Sequence, residues 1–230
     1  MLSARMCQAV RSAAIAATFL FVLAVVAFAQ ERRQNIPGQF DFYVLALSWS
    51  PSFCETAKKR GADSRSDPQC SGRPFAFIVH GLWPEYEKGF PSYCQVPAPR
   101  LDRSIVGTAL GIIPSPRLIF REWDRHGTCS GLKPDAYFAA MQKARAAVKI
   151  PPAYLAPAEP LTVTPDEVAA EFVKANPGLS RASMAVICDA TRLSGVRLCM
   201  TKEFTFHECA DVASRACNRE KIVMPAVQRE

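Results

Sequence analysis

Apolar and polar positions change their period several times along the chain. Phe40 to Leu47 (FDFYVLAL) is a β-rich apolar run, which predicts a strand buried on at least one face. Glu55 to Gly72 is charged and punctuated by Gly61, Asp67 and Pro68, which predicts a loop. Phe75 to Val79 (FAFIV) predicts a second short strand with His80 at its end and Gly81 turning the chain away. Residues 85–117 carry many Pro and Gly and little periodicity, so they read as mostly loop with one short helix. Leu118 to His126 (LIFREWDRH) has apolar residues at 118, 119 and 123 with charges between them, a helical pattern that Gly127 ends. A further helix runs from Asp135 to Val148 after Pro134. Thr164-Pro165-Asp166-Glu167 has the residues of a capped helix start, closed by Pro177-Gly178. Met184 to Cys188 and Val196 to Met200 predict strands around a Ser194-Gly195 turn. No repeat and no domain linker interrupts this order, which gives one α+β domain.

The first 29 residues have a different pattern. Arg5 and Arg11 precede an apolar run, Ala13 to Phe28, and Ala27-Phe28-Ala29 is a small-x-small cleavage triplet. This predicts a signal peptide over 1–29 and a mature chain over 30–230, secreted or periplasmic, with no membrane attachment once the signal is removed. A retained anchor is the alternative, because the apolar run approaches spanning length. The lack of an Asn-x-Ser/Thr sequon leans towards a bacterial exported protein. Of nine cysteines, Cys7 falls in the signal and eight remain, an even number that predicts four disulfides in an oxidising compartment, with about 105 connectivities open. Loss of the two signal arginines leaves 26 basic against 21 acidic residues, a net charge of +5 that suits an anionic partner without identifying one.

The chain has three histidines, and two stand among reactive and aromatic neighbours: Phe77-Ile78-Val79-His80-Gly81-Leu82-Trp83-Pro84 and Glu122-Trp123-Asp124-Arg125-His126-Gly127-Thr128-Cys129. On a helix, Glu122 and His126 share a face, with Arg125 beside it. Two imidazoles, a carboxylate and a guanidinium meet the needs of RNA transesterification. One imidazole takes the 2′-OH proton, the other protonates the departing 5′-oxygen, and a fixed cation meets the charge growing on phosphorus. The ribose supplies the nucleophile, so the scheme uses no metal or cofactor. A zinc hydrolase built on His80, Glu122 and His126 is a rival, but the chain has neither His-x-x-x-His nor Cys-x-x-Cys spacing. Trp123 reads as a core residue, while base stacking and core packing both stay open for Trp83. Tyr86, Phe90 and Tyr93 either line a base pocket or pack under a disulfide. His207 lacks a catalytic context and reads as structural or exposed.

FIVHGLWP and LIFREWDRHGTC resemble the paired active-site signatures of the ribonuclease T2 family, secreted ribonucleases of low base specificity. FYVLALSWSPSFC resembles the family's opening strand, and VRLCMTKEFTFHEC its closing strand and disulfide region. The resemblance implies a central antiparallel β-sheet flanked by helices, and an endoribonuclease that cleaves single-stranded RNA, not DNA, as a monomer with an acid-side optimum. It implies His126 as base towards the 2′-OH, His80 as acid towards the leaving oxygen, and Glu122 and Arg125 as supports of the phosphorane. Trp83 would stack on a base. The implied disulfides are Cys54–Cys70, Cys94–Cys129, Cys188–Cys217 and Cys199–Cys209. This sequence departs from the family pattern at Arg125, where Lys is usual, at Arg121, where many members have His, and at Glu85, where Asp often helps to read a base. A family fold turned inactive binding or inhibitor protein is the remaining rival, although such proteins usually lose a catalytic His and both are present here.

Overall fold

The computed structural model describes residues 35–61, 67–71 and 73–227; the signal peptide expected over 1–29 lies outside them. Strand β1 (Phe42–Trp49) lies at the centre of the main sheet. It pairs antiparallel with β2 (Phe77–Glu85) on one side and with β5 (Leu193–Met200) on the other. Beyond β5 lies β4 (Met184–Cys188), also antiparallel, giving the order β2-β1-β5-β4. The helices are α1 (Ser50–Lys59), α2 (Arg103–Ala109), α3 (Pro116–Arg125), α4 (Pro134–Ala146), α5 (Pro165–Ala175) and α6 (Ala210–Ala213). A small second sheet pairs β3 (Leu161–Val163) with β6 (Ile222–Met224). The architecture is α+β, with four disulfides: Cys54–Cys70, Cys94–Cys129, Cys188–Cys217 and Cys199–Cys209.

Alternation along the strands sorts side chains to two faces. Tyr43, Leu45, Leu47 and Trp49 of β1 join Val196, Leu198 and Met200 of β5 on the larger core face. Ile119, Trp123, Tyr137, Phe138, Met141, Val168 and Phe172, supplied by α3, α4 and α5, complete this core. On the opposite face Phe42, Val44, Ala185 and Cys199 form a smaller cluster with Cys209 and Val212. Three buried ring donors reach backbone oxygens from the core, Trp49 Nε1–H to Pro225 (3.1 Å), Trp123 Nε1–H to Pro99 (2.7 Å) and Tyr137 O–H to Leu82 (2.8 Å). The pattern predicted at Thr164 is a complete capping box, in which Thr164 Oγ1 accepts from the Glu167 N–H and the Glu167 carboxylate accepts from the Thr164 N–H.

Four local expectations are corrected. The charged segment after Ser50 is not all loop: α1 occupies Ser50–Lys59, started by Pro51 and favoured at its C-terminus by Lys58 and Lys59. The second strand does not end at Val79 but continues through Gly81 to Glu85, and Pro84 is tolerated because β2 is an edge strand. Ser194 and Gly195 are not a turn but lie inside β5, and the chain reverses at residues 189–192. A Cβ on Gly195 would lie 2.0 Å from the Leu47 carbonyl oxygen, so this glycine serves close strand approach. Periodicity also missed β3 and β6, each three residues long.

Candidate active site

The placement of the first histidine depends on a fault in the sheet. Ala46 faces Gly81 and Leu47 faces Val79, so His80 is an extra residue in β2 with no partner on β1. Such a bulge advances the alternation by one residue. Val79 and Leu82 consequently both enter the core, while Trp83 turns to the opposite face. Uninterrupted alternation from Val79 would have sent Trp83 into the core. Gly81 then gives α3 room to approach: a Cβ there would stand 2.1 Å from Glu122 Oε2 and 2.5 Å from Trp83 Nε1.

Helix α3 supplies the rest. Ile119 and Trp123 are buried in the core, while Glu122 and, one turn later, His126 face β2. His126 caps the helix, and a single 3₁₀ turn, Gly127–Cys129, leads to the Cys94–Cys129 disulfide. The backbone N–H of Tyr93 also donates to the Arg125 carbonyl (2.9 Å), so the end of α3 is tied both covalently and by hydrogen bonding.

His80, Trp83, Glu122, Arg125 and His126 meet around one cavity of about 200 Å³. Glu122 lies between them: Oε1 is 3.3 Å from His80 Nε2, and Oε2 accepts a hydrogen bond from Trp83 Nε1–H at 2.6 Å. The other nitrogen of His80, Nδ1, is 3.0 Å from Ser48 Oγ, so the ring is held at both ends. The Trp83 indole stacks on His126, with centroids 5.1 Å apart and planes at 25°, and meets His80 edge-on at 5.8 Å. The Arg125 guanidinium lies over Phe90 at 5.7 Å.

The electrostatics separate the titrating groups. Burial pushes the His126 imidazole down to about 4, assisted by the charges of Arg125, His80 and Arg121 and opposed by Glu122. Its buried Nδ1 has no hydrogen-bond partner among the described residues. Burial also works against ionised Glu122, but hydrogen bonding and charge from His80, the charge of His126 and the Trp83 N–H outweigh it and hold the carboxyl below its usual range. At neutral pH the cavity therefore holds a neutral, deeply set imidazole at His126 and a carboxylate at Glu122 that orients His80.

All five residues expected from the sequence come together, and Trp123 is core as read. Three more were missed: Ser48, Arg197 and Arg215. Ser48 lies on the polar side of β1, a position that alternation within FYVLALSW marks as facing away from the core, and the two arginines line the cavity. Phe90, for which a base pocket and packing were both open, lines it too, as do Glu85 and Arg121. Tyr93 is exposed, and His207 packs against the Phe42 ring (4.9 Å) with Nε2 3.4 Å from Glu87. Among the described residues no group of three or more His, Cys, Asp or Glu side chains is placed to hold a metal ion.

Known proteins resemble this chain in both sequence and fold. It is 46% identical over 95 residues to a ribonuclease of Aeromonas hydrophila, a match covering 41% of this chain and 40% of that protein. A probable ribonuclease of Haemophilus influenzae is 35% identical over 127 residues, 51% of this chain and 47% of the other. The chain thus spans less than half the length of these two relatives. Ribonuclease DdI of Dictyostelium discoideum matches more broadly, 27% identical over 232 residues, covering 88% of this chain and 94% of that one. Among solved structures, an RNase-related protein from Calystegia sepium superimposes with a TM-score of 0.63 at 22% identity, covering 82% of this chain and 98% of its own, a likeness of fold. RNase NT in complex with 5′-AMP superimposes with a TM-score of 0.58 at 25% identity, covering 80% and 97%. The model of the ribonuclease T2 family matches residues 40–209, from two residues before β1 to the cysteine before α6 and across both histidine segments, and the chain therefore belongs to the ribonuclease T2 family.

Proposed function

We propose that this protein is a metal-independent endoribonuclease that cleaves single-stranded RNA with low base specificity, giving 2′,3′-cyclic phosphates that it then hydrolyses to 3′-phosphates. The observation that carries this reading is the cavity in which His80 and His126 flank Trp83 and Glu122, with Arg125 beside them. Neutral His126 takes the proton from the 2′-OH, and the 2′-oxygen attacks phosphorus. His80, oriented by Ser48 and Glu122, delivers a proton to the departing 5′-oxygen. Arg125 meets the charge that grows on the equatorial oxygens, where a fixed cation stabilises the transition state more than the ground state. When water opens the cyclic ester the two imidazoles exchange roles. Trp83, stacked on His126, faced by the Arg197 guanidinium and hydrogen-bonded to Glu122, holds these side chains beside the reacting phosphate, and a base stacks on it only by displacing one of them.

Four disulfides support an oxidising location, secreted or periplasmic. Among the described residues no helix is long and apolar enough to cross a membrane. The test uses purified, oxidised protein with defined dinucleoside monophosphates in excess chelator, and identifies the ends produced. The reading predicts a 2′,3′-cyclic product followed by a 3′-phosphate, and no cleavage of the 2′-deoxy analogue. Products ending in 5′-phosphate, loss of activity in chelator, or an intact substrate would contradict it.

A further inference from the structure

Helix α3 enters the cavity with its C-terminal half only, and its outer face continues past it. Ile119, Glu122 and Trp123 are buried, which leaves Arg117, Phe120, Arg121 and Asp124 facing solvent and Arg125 at the cavity wall. Arg117, Phe120 and Arg121 stand at i, i+3 and i+4 and are therefore neighbours on the helix surface. Arg121 lines the cavity with Arg125, whereas Arg117 lies one turn nearer the N-terminus, ~6 Å further along the axis. Among the described residues neither Arg117 nor Arg121 makes a hydrogen bond or an ion pair. Phe120 is 46% exposed, and among the described residues no ring or cation packs on it. Asp124 is the only exposed acid of this helix, so the outer face carries three arginines against one carboxylate.

The proposed mechanism gives this face a direction. His126, the base towards the 2′-oxygen, caps the C-terminus of α3, and Glu122, one turn nearer the N-terminus, holds His80, the acid towards the departing 5′-oxygen. Passing from His126 to His80 and on along the helix therefore runs from the nucleotide that keeps the phosphate to the one that leaves, and the strand 3′ of the cut heads towards Arg117. We propose that Arg117 and Phe120 form a binding surface for single-stranded RNA on the 3′ side of the cleaved bond, with Arg121 joining that surface to the cavity. The proposal rests on the ribonuclease reading and on its assignment of the two histidines. A guanidinium fork pairs with phosphate oxygens, and arginines one turn apart on a rigid helix meet neighbouring phosphates without the ordering of a loop. An open phenyl face accepts any base, which suits an enzyme of low base specificity. Asp124, the one repulsive group, stands ~10 Å along the axis from Arg117, about one Debye length at 0.1 M salt, where its charge is largely screened.

The test uses oligodeoxynucleotides that contain a single ribonucleotide, which fixes the cleavage site. A parent with one deoxynucleotide after the ribonucleotide is compared with forms lengthened by one to four deoxythymidines, either on the 3′ side or on the 5′ side. Lengthening on the 3′ side is expected to raise kcat/KM by about tenfold, through KM, the scale of one stacked base. Lengthening on the 5′ side should change it little. Arg117→Gln and Phe120→Ser, both at exposed positions, should each lower the ratio of kcat/KM between 3′-lengthened and parent substrates, and Arg117→Lys should recover part of the loss. Added salt should lower the ratio in the wild type, with a log–log slope that is shallower by ~0.7 in Arg117→Gln, the share of one phosphate on a single strand. A ratio unchanged in either Arg117→Gln or Phe120→Ser overturns the proposal. So does a 5′ gain as large as the 3′ gain, or no gain on either side. A loss equal on parent and lengthened substrates would give the residue a part in folding or in the cavity itself and also overturns it. Failure of the wild type to cleave even the parent would refute the ribonuclease reading on which the proposal stands, a result separate from the loss of the 3′ gain alone.

Discussion

The two faces of the main sheet are built from alternate residues of the same strands, yet they serve opposite ends. The core face is filled: Leu45, Leu47 and Trp49 lie against α3, α4 and α5 with at most 2% of their surface exposed. The opposite face carries only a small apolar cluster, and beside it stand His80, Trp83, Glu85 and Arg197 around an open cavity. Stability therefore resides chiefly on one side of the sheet and chemistry on the other, only one residue apart in the sequence. The bulge at His80 is where they are exchanged, since it moves Trp83 from the filled side to the open one.

This division can be broken from either side. On the open face, His126→Ala and His80→Ala should each lower kcat by at least ~10²-fold, the usual scale for a general acid or base, as read by single-turnover cleavage. The melting temperature, measured on the same samples, should move little by comparison. On the filled face, Leu45→Ala should destabilise by about 2–5 kcal/mol in denaturant titration with disulfides intact, while the folded fraction keeps its turnover rate. If Leu45→Ala abolished turnover in fully folded protein, the two faces would not be separable.

A smaller effect is expected at Glu122, to which the proposed mechanism gives the orientation of His80 and no proton transfer of its own. Glu122→Gln retains a hydrogen-bonding side chain and should cost less kcat than either histidine variant, measured alongside them. A loss as large as that of His80→Ala would give the carboxylate a direct part in proton transfer.

The smallest effect is a pH dependence of stability. Glu85, raised to about 7 by burial, binds its proton more tightly in the folded chain than in the unfolded one. Its contribution is full below the ordinary carboxylate range and is lost as pH rises through about 7. His126, lowered to about 4, acts in the opposite sense: its contribution is full above the ordinary imidazole value and is lost as pH falls through about 4. The two terms oppose each other between pH 5 and pH 8, so the Glu85 part is read from urea titrations as the difference between variants: Glu85→Gln should gain stability relative to the wild type on going from pH 5 to pH 8. The gain should be of order 1.4 kcal/mol for each tenfold difference in proton affinity between the folded and unfolded chain. A difference between Glu85→Gln and the wild type that is the same at both pH values would contradict the burial of an uncompensated carboxyl.

Much of this arrangement is written locally in the chain. The strand cores, the helix beginning at Thr164 and the pairing of Glu122 with His126 on one helical face all depend on neighbours within a few residues, and periodicity or capping residues reveal them. The histidines were legible because each stands in a dense segment of reactive and aromatic residues. What escaped depends on distant partners. Gly81 looks like a turn until Glu122 is seen to need its missing Cβ, and the bulge at His80 exists only in relation to β1. Arg197 is one charged position in an alternating strand, and Arg215 reaches the cavity only through two disulfides that spacing alone could not pair.

The assignment of His126 as base and His80 as acid is tested most directly with an RNA dinucleotide whose 5′-bridging oxygen is replaced by sulfur, a leaving group that departs without protonation. The account predicts that this substrate restores most of the activity of His80→Ala but little of that of His126→Ala. Equal rescue of both variants, or rescue of His126→Ala alone, would contradict it.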